Sequence, residues 1–540
     1  MRKRAGPGKA GGREAALANM LLLYLIVLAG ALFLKNFIDG AGAYLPGSGH
    51  DMLWEKYDWP DTAYMARLVS QGMAFSQDPS FSSSAPMIGY FPPVFPAVAA
   101  LIYKFTGDYS ATFTLLSAMI WLAAVWLIAK DWEGWEMKIA VIVIVFFLTA
   151  YIEWPPVLNR LREIFAVLIM ALMFKNPLNL QRWKNFLIFG ALATLAQPVV
   201  ALLAIGGYFF FDAQTGKIRI ERKMALCLAV LAGFFIITYY GHALALLSNE
   251  KPQNYIGCAY TMPAYNSQDY MRLSFFYAIA SVFFLAFLPT RELKIAYGVL
   301  VVASIALLAA QNFPQTYLAI TSPIASDMCY QTIPFLAFFA LFPDRARPGG
   351  KRLALARILL LAALLAQSMQ SYSFKNSSGY GVLDKPETLF APNSTAIAAR
   401  YYLWDNAMQP YLIHFDFRLM SELALKNAPV RFAYSPVQQF YDPNGYAPDL
   451  QGIIMSFAKK DMEECSLHAE NLHGRGIDYA SFEIILDRSW QPESDRTDSW
   501  GYRTALEMEN MSMISQCGME PVLLEMGNRR QNYFIYRLEK

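Results

Sequence analysis

The sequence predicts an all-α polytopic membrane bundle followed by a C-terminal α/β domain. Of its 540 residues, 56% are apolar or aromatic and only 16% are charged, whereas soluble globular chains carry about 25% charged residues. The apolar residues form runs long enough to cross a bilayer, and polar residues with turn signals replace these runs after about residue 373. The formal net charge of +3 is too small to predict nucleic acid as a partner.

About eleven apolar stretches are candidates for transmembrane helices, which need about 17 to 20 mostly apolar residues. The first stretch is followed by Lys35 and Asn36 rather than by a cleavage site, which predicts a retained helix rather than a signal peptide. Gln197-Pro198 interrupts the stretch 185–211, which is therefore predicted to form two short helices. The predicted spans are 16–34, 110–129, 138–153, 163–175, 185–197, 199–211, 224–243, 273–289, 295–311, 328–343 and 355–372.

Lys and Arg in the short connections predict the orientation, because such residues favour the cytoplasmic side. The N-terminal tail 1–15 and the connections 212–223 and 344–354 are basic, so all three are expected inside. The first outward loop, 35–109, then lies on the opposite side. The predicted organisation is a cytoplasmic tail 1–15, a transmembrane domain 16–372 and an extracytoplasmic α/β domain 373–540. The expected location is the cytoplasmic (inner) membrane of the cell.

Short strand-like and helix-like segments alternate in the C-terminal region, which predicts its α/β class. The predicted strands are 430–434, 453–455, 482–486 and 533–536. The predicted helices are 394–405, 416–427 and 502–513.

Four of the five cysteines fall in segments predicted to lie outside the cytoplasm. Cys258 lies in an outward loop and Cys329 at the junction of an outward loop with the span 328–343, and Cys465 and Cys517 lie in the C-terminal domain. Each pair is a possible disulfide in an oxidising compartment, and unpaired thiols are the alternative. Cys227 lies inside a predicted span and is left over.

Two carboxylates stand out in the first outward loop. Asp58 and Asp61 flank Pro60 at the start of a predicted helix, so helix capping is one explanation for both. A function at the membrane surface is the other. The apolar helix 97–105, which three prolines precede, is expected to lie half-immersed at that surface.

A second outward turn carries Arg160, Arg162 and Glu163 directly before an apolar helix. Ionisable groups at the end of a span are costly and usually face a cavity or a partner, although a local Arg–Glu pair is the alternative. Further basic groups follow at His242, Lys251 and Arg272. This combination suits a reaction in which a carboxylate base activates a hydroxyl while cations hold a departing phosphate.

Three segments together resemble the glycosyltransferase-C superfamily, whose members use polyprenyl-phosphate-linked sugars. They are the run Pro60-Asp61-Thr62-Ala63-Tyr64 with Tyr90-Phe91-Pro92-Pro93 about 30 residues later, the turn 155–163, and 190–198. Their spacing is most similar to the bacterial mannosyltransferases that depend on polyprenyl-phosphate mannose. The similarity to protein mannosyltransferases and to lipid A aminoarabinose transferases is weaker.

The resemblance implies roles for particular residues. Asp61 matches the catalytic aspartate of the family, with Asp58 as the competing position, and Glu163 matches a second acidic position. Arg272 resembles the arginine that binds the donor phosphate, whereas Gln197 departs from the lysine that many relatives have. The residues expected to bind the donor phosphate are Arg160, Arg162, His242, Lys251 and Arg272.

The implied reaction is an inverting transfer of mannose or another monosaccharide to a lipid, glycan or protein acceptor outside the cytoplasm. Neither turn contains a D-x-D motif, so no metal or other cofactor is expected, and a divalent ion between Asp61 and Glu163 is the alternative. The expected partners are the lipid-linked sugar, its acceptor and membrane lipids. Competing functions are a flippase or transporter of lipid-linked glycans, a glycan polymerase or ligase, and a non-catalytic sensor.

Overall fold

The computed structural model describes five main ranges of the chain. These are 59–83, 86–129, 172–196, 221–247 and, with short gaps, 388–539. It also describes Met20, Tyr24 and parts of 165–169, 205–218 and 291–302. The statements below concern these residues.

The N-terminal part of the described chain contains helix α1 (Trp59–Ser70) and, after it, a group of helices that we call the helical body. The helices of this body with described bounds are α2 (Val94–Thr106), α3 (Tyr109–Ala129), α4 (Arg182–Ala196) and α5 (Arg222–Leu247). The predicted helices 110–129, 185–197 and 224–243 are therefore present as helices, and their passage through a membrane stays a prediction. Within the described ranges, no helix combines the length and the apolarity that a membrane crossing requires.

The apolar faces of α3 point both inward and outward. Phe113, Leu116 and Ile120 are buried, whereas Leu122 and Trp126 are 60% and 64% exposed. Apolar side chains on an exposed helix side are typical of a surface that contacts lipid or another protein. The same holds for α2, where Phe105 is 84% exposed.

The strands form one seven-stranded mixed sheet and one small hairpin. The hairpin pairs β2 (Phe211–Asp212) with β3 (Lys217–Ile218). The sheet order is β1-β6-β4-β7-β9-β8, and β5 pairs with β4 beyond the end of β6. The strands are β1 (Phe81–Ser83), β4 (Thr395–Trp404), β5 (Gln409–Phe415), β6 (Arg431–Tyr434), β7 (Tyr479–Leu486), β8 (Met519–Glu525) and β9 (Gln531–Leu538).

Five further helices flank this sheet within the described residues. One face of the sheet is covered by the helix that contains Phe457 and by the helix that ends just before Met508. The ring of Phe457 lies 6.3 Å from the ring of Tyr536, and the hydroxyl of Tyr536 donates to the carbonyl oxygen of Met508. The opposite face receives the helix that follows β5. The helices are α6 (Phe417–Leu425), α7 (Ala447–Lys459), α8 (Met462–Gly474), α9 (Trp500–Glu507) and α10 (Met511–Gln516).

Two predictions for this domain are wrong. The segment predicted as a helix over 394–405 is the central strand β4, because its alanines pack beneath helices on both faces and tertiary context overrides helix propensity. The segment predicted as a strand over 453–455 lies inside α7, whose buried positions Leu450, Ile453, Ile454 and Phe457 follow the helical period. The predicted helix 502–513 is divided into α9 and α10.

The first outward loop contributes a strand to the C-terminal sheet. β1 pairs in parallel with β6, and Phe81 lies opposite Phe432. The α/β domain therefore contains residues that precede its predicted start at 373 by almost 300 positions. On the far side of the domain, Cys465 and Cys517 form a disulfide with a Cα–Cα distance of 5.2 Å. Cys227 is free and buried, and Cys258 and Cys329 lie outside the described residues.

Candidate functional site

Helix α1 lies between the helical body and the α/β domain. Tyr64, Met65 and Leu68 belong to the core of the α/β domain. Ala63 and Ala66 belong instead to a core with residues of α2 and α3. Since these two sets occupy different sides of one helix, α1 is shared by both hydrophobic cores.

The sequence at the start of α1 suits a helix that begins there. Pro60 is its second residue, a place where the missing backbone N–H costs nothing. Asp61 follows in the first turn, where the helix dipole favours a negative charge. The backbone of Asp61 is helical, and its side chain lies outside the described part of the structure.

A buried hydrogen bond holds α1 to the loop that leads into β1. The hydroxyl of Tyr64 donates to Oδ2 of Asp78 at 2.8 Å, and Oδ1 of Asp78 accepts from the backbone N–H of Ser80 at 2.8 Å. Burial, followed by the charge of Asp78, raises the pKa of Tyr64 far above its usual value. The phenol therefore stays protonated and remains a donor. The ring of Tyr64 also contacts that of Phe81 at 5.7 Å.

Arg67 joins the other end of α1 to the α/β domain. Its half-buried guanidinium donates to the carbonyl oxygen of Ala424, in the last turn of α6. The last carbonyls of a helix lack intrahelical partners and carry its negative dipole end, so a cation is favoured there. This contact joins residues 357 positions apart in the chain.

Polar groups also attach α6 to the sheet. Asp416, directly before α6, accepts from the backbone N–H of Leu419 at 3.3 Å and from the hydroxyl of Tyr533 in β9 at 3.4 Å. On the same sheet face, Nε of Arg400 lies 3.2 Å from Oε2 of Glu483. Both side chains of this pair are almost fully buried, with exposed fractions of 4% and 0%. Buried polar groups of this kind favour one arrangement over others because they lose hydrogen bonds when displaced.

Helix α2 lies against α1 and has a second, exposed side. Phe95 and Ala99 pack in the core that includes Ala63 and Ala66. Leu101 and Phe105, one turn apart, are exposed. Gly107 ends the helix with a φ of +68°, a conformation that glycine adopts without strain. The predicted helix over 97–105 is thus present and has a free apolar side.

Of the catalytic and phosphate-binding residues predicted from the sequence, only two lie within the described residues. Asp61 lies in α1, and His242 lies in α5 with a side chain that is not described. The remaining predicted site residues lie outside the described residues, and so their distances from α1 are not part of the described geometry. They are Asp58, Arg160, Arg162, Glu163, Lys251 and Arg272.

Sequence reasoning missed the residues that hold α1 in place. Tyr64, Arg67 and Asp78 were visible only as parts of the first outward loop. The one sequence signal for Tyr64 is its place next to Asp61 on a helix, three residues away and therefore on a neighbouring face. No local signal identifies Ala424 as the partner of Arg67.

Comparisons with known proteins find distant structural neighbours. No protein-family model and no curated protein matches the sequence. One neighbour is the arabinofuranosyltransferase AftD from Mycobacteria, at 14% identity and a TM-score of 0.44 over 96% of this chain and 40% of that one. Another is the oligosaccharyltransferase of Archaeoglobus fulgidus, at 12% identity and a TM-score of 0.39 over 85% and 69%.

The chain thus spans less than half the length of the arabinofuranosyltransferase. Because both TM-scores are below 0.5, the function proposed next rests on the residues of this chain.

Proposed function

We propose that the protein is a membrane glycosyltransferase that moves a sugar from a polyprenyl-phosphate donor to an acceptor on the outer face of the membrane. The observation that carries the proposal is the position of α1. This helix begins with the Pro60-Asp61 segment and is buried between the helical body and the α/β domain. In the proposed arrangement, Asp61 acts where a lipid-bound donor and a water-borne acceptor would meet.

The exposed apolar side chains support a membrane location for the helical body. Leu115, Met119, Leu122 and Trp126 follow the spacing of one face of α3, and all are exposed. Leu226, Ile236 and Ile237 are exposed on α5. Contiguous apolar surface of this kind is rare on soluble monomers and is typical of contact with lipid or another protein.

The disulfide supports an extracytoplasmic location for the α/β domain. Disulfides such as Cys465–Cys517 persist in oxidising compartments and are rare in the cytosol. The polar exterior of the domain suits such an aqueous space. With the basic connections inside, the first outward loop and the C-terminal domain lie on the same side, as the pairing of β1 with β6 requires.

The proposed reaction is a displacement at the anomeric carbon of the sugar. The acceptor oxygen forms a bond to this carbon from the face opposite the leaving group, and the bond from the carbon to the phosphate oxygen breaks. The acceptor proton goes to the carboxylate of Asp61, and the electron pair of the broken bond goes to the polyprenyl phosphate. A positioned base of this kind accelerates such a step by about 10²- to 10⁴-fold.

Other residues complete the proposed site. Arg160, Arg162, Lys251 and Arg272, with His242, are assigned to the charge that develops on the phosphate, for which guanidinium has a suitable geometry. Glu163 is assigned as the second acidic group and Asp58 as the competing base. The exposed side of α2, with Leu101 and Phe105, offers an apolar surface for the polyprenyl chain at the membrane boundary.

The test uses the purified full-length protein in lipid nanodiscs with a panel of labelled polyprenyl-phosphate sugars, mannose first. Asp61→Asn is the active-site variant. Asp108→Asn is its control, because Asp108 caps α3 through a hydrogen bond from the backbone N–H of Ala111, and asparagine also accepts at that position. We expect turnover by the wild type and by Asp108→Asn, and a loss of about 10²-fold or more in Asp61→Asn.

Other outcomes distinguish the competing functions. Turnover of no donor, or equal turnover by Asp61→Asn, would contradict the proposal. Movement of the labelled lipid between leaflets without transfer would identify a transporter, and use of lipid diphosphate glycans alone would identify a polymerase or ligase. A sensor would tolerate Asp61→Asn without loss of function in the cell.

A further inference from the structure

We propose that the α/β domain positions the helix that carries Asp61, and that Arg67 is the positioning residue. This inference rests on the proposed function for the importance of Asp61. The contact between Arg67 and α6 is independent of it. The α/β domain would then be part of the catalytic machinery through α1, rather than only an acceptor-binding appendage.

Helix α1 is buried along most of its described length. Six consecutive side chains, from Thr62 to Arg67, are buried or half-buried, and Leu68 is also buried. Few helices are packed on so many sides, because a surface helix normally leaves a polar face in water. With one side in each core, α1 packs against both the helical body and the α/β domain, and its displacement would disturb close packing on at least one side.

A continuous series of contacts connects the sheet to α1. Tyr533 in the sheet donates to Asp416 at the start of α6, and Ala424 near its end accepts from Arg67. α6 spans nine residues, or roughly 13 Å at 1.5 Å per residue. It therefore connects the sheet to the second half of α1.

A second attachment lies about one turn before Arg67, at Tyr64. Tyr64 donates to Asp78, Asp78 accepts from Ser80, and β1 follows at Phe81. β1 is hydrogen-bonded to β6. Two routes, one through α6 and one through β1, thus hold the same helix to the same sheet, so that the helix carries Asp61 in a position that the α/β domain determines.

The chemistry at Arg67 suits a positioning role rather than contact with substrate. Its guanidinium is directed to a backbone carbonyl at the end of α6. The charge of Arg67 also acts on the nearby phenols of Tyr64 and Tyr109. The hydroxyl of Ser70 donates to the backbone carbonyl oxygen of Arg67 at 2.8 Å. Arg67 also lies six residues, or almost two turns, after Asp61, about 9 Å along the axis.

The first experiment measures hydrogen exchange in the full-length protein in nanodiscs. Arg67→Ala is compared with Arg537→Ala, which removes an exposed arginine whose pairing with Glu520 spans 3.7 Å at the sheet surface. We expect the amides of α1 to exchange on the order of 10-fold faster in Arg67→Ala, because a hydrogen bond from a charged donor is lost. In Arg67→Ala, the amides of β7 should exchange at the wild-type rate. In Arg537→Ala, the amides of both α1 and β7 should do so.

The second experiment measures transfer from polyprenyl-phosphate mannose, or from the donor that the panel identifies. A displaced base lowers kcat on the order of 10²-fold, whereas KM for the donor should change by less than about 3-fold, since Arg67 does not bind it. Arg67→Lys keeps a cation and a donor, and we expect it to recover part of the lost rate. Arg537→Ala should match the wild type.

Tyr533→Phe provides a second variant that keeps the ring and removes only the hydroxyl donated to Asp416. If Arg67→Ala accelerates exchange throughout the α/β domain, the exchange of Tyr533→Phe decides whether α6 connects the sheet to α1. Faster exchange in α6 and α1, with the exchange of β7 unchanged, would support this connection through α6.

Unchanged exchange of α1 in both variants would overturn the proposal, as would a normal kcat in Arg67→Ala. If the wild type transfers no sugar at all, the proposed function fails, and the exchange experiment still decides whether the domain positions α1.

Discussion

The helical body and the α/β domain place their apolar side chains differently. In the α/β domain, large apolar residues such as Phe482 and Phe534 are fully buried, and only scattered ones such as Leu506 and Met511 are exposed. In α3, apolar residues line both the buried and the exposed side. This difference is what the proposed organisation expects, with water around the domain and lipid around the helices.

Helix α1 belongs to both regions, and this is the most instructive feature of the comparison. Its alanines face the helical body, where small residues permit close packing, and its larger residues Tyr64, Met65 and Leu68 face the domain. Under the proposed function, a helix at this boundary would receive one substrate from the membrane and another from water.

Removal of the disulfide should weaken the α/β domain alone. The bond joins residues 52 positions apart, and a cross-link over such a loop is worth about 4 kcal/mol. We expect the double variant Cys465→Ser with Cys517→Ser to lose that much free energy of unfolding in the domain, measured by hydrogen exchange of β7 and β9. Protection of α3 should be retained. Equal loss in α3 would show that the two regions unfold as one.

A lysine on the exposed side of α3 should be far more costly than one on the domain surface. Leu122→Lys places a charge on a face proposed to contact lipid, which costs about 3 kcal/mol. Leu506→Lys is the matched control, because Leu506 is exposed on α9 and surface substitutions stay within about 0.5 kcal/mol. The free energies of unfolding in bilayers provide the measurement. Equal small effects would place α3 in water.

Tyr64→Phe should loosen the junction. The variant keeps the ring against Phe81 and removes the hydroxyl that donates to Asp78. Loss of a buried donor to a carboxylate costs about 1 to 3 kcal/mol, and we expect this loss in the exchange of α1 and β1. Wild-type protection of both segments would show that the hydrogen bond does not hold the junction.

The smallest effect concerns a surface ion pair of the domain. A hydrogen bond from Lys460, at 2.6 Å, lowers the pKa of Glu507. Its stabilisation is therefore present above the unfolded pKa of about 4.3 and is lost as the pH falls through the lower folded value. Because Lys460 is mostly exposed, Glu507→Gln should cost only about 0.3 kcal/mol at pH 7 and nothing at pH 2. A larger cost at pH 2 than at pH 7 would contradict this assignment.

The sequence predicted those features that depend on local pattern. The helices α3, α4 and α5 follow from apolar runs, and the helix after Pro60 follows from the residues at its start. The central strand β4 was missed because its alanines favour a helix locally, and only burial between helices makes it a strand. The predicted strand 453–455 was wrong because three apolar residues are too short a window to show a helical period.

The candidate site was predictable only in part for the same reason. Asp61 was singled out by its place after Pro60 and by the resemblance, and the structure confirms its expected place in the first turn of a helix. The partners of α1 could not be found, because Arg67 contacts a residue 357 positions away and β1 pairs with a strand of the C-terminal domain. Such contacts depend on the assembled fold and leave no periodic signal in the chain.

The most direct test of the account is a double-mutant cycle on transfer from the polyprenyl-phosphate donor. It compares the kcat of Asp61→Asn, Arg67→Ala and the double variant with that of the wild type. If the α/β domain acts on catalysis through the position of Asp61, Arg67→Ala will have no further effect once Asp61 is replaced, and the double variant will match Asp61→Asn. If the two losses multiply, Arg67 acts by another route, and the central claim is wrong.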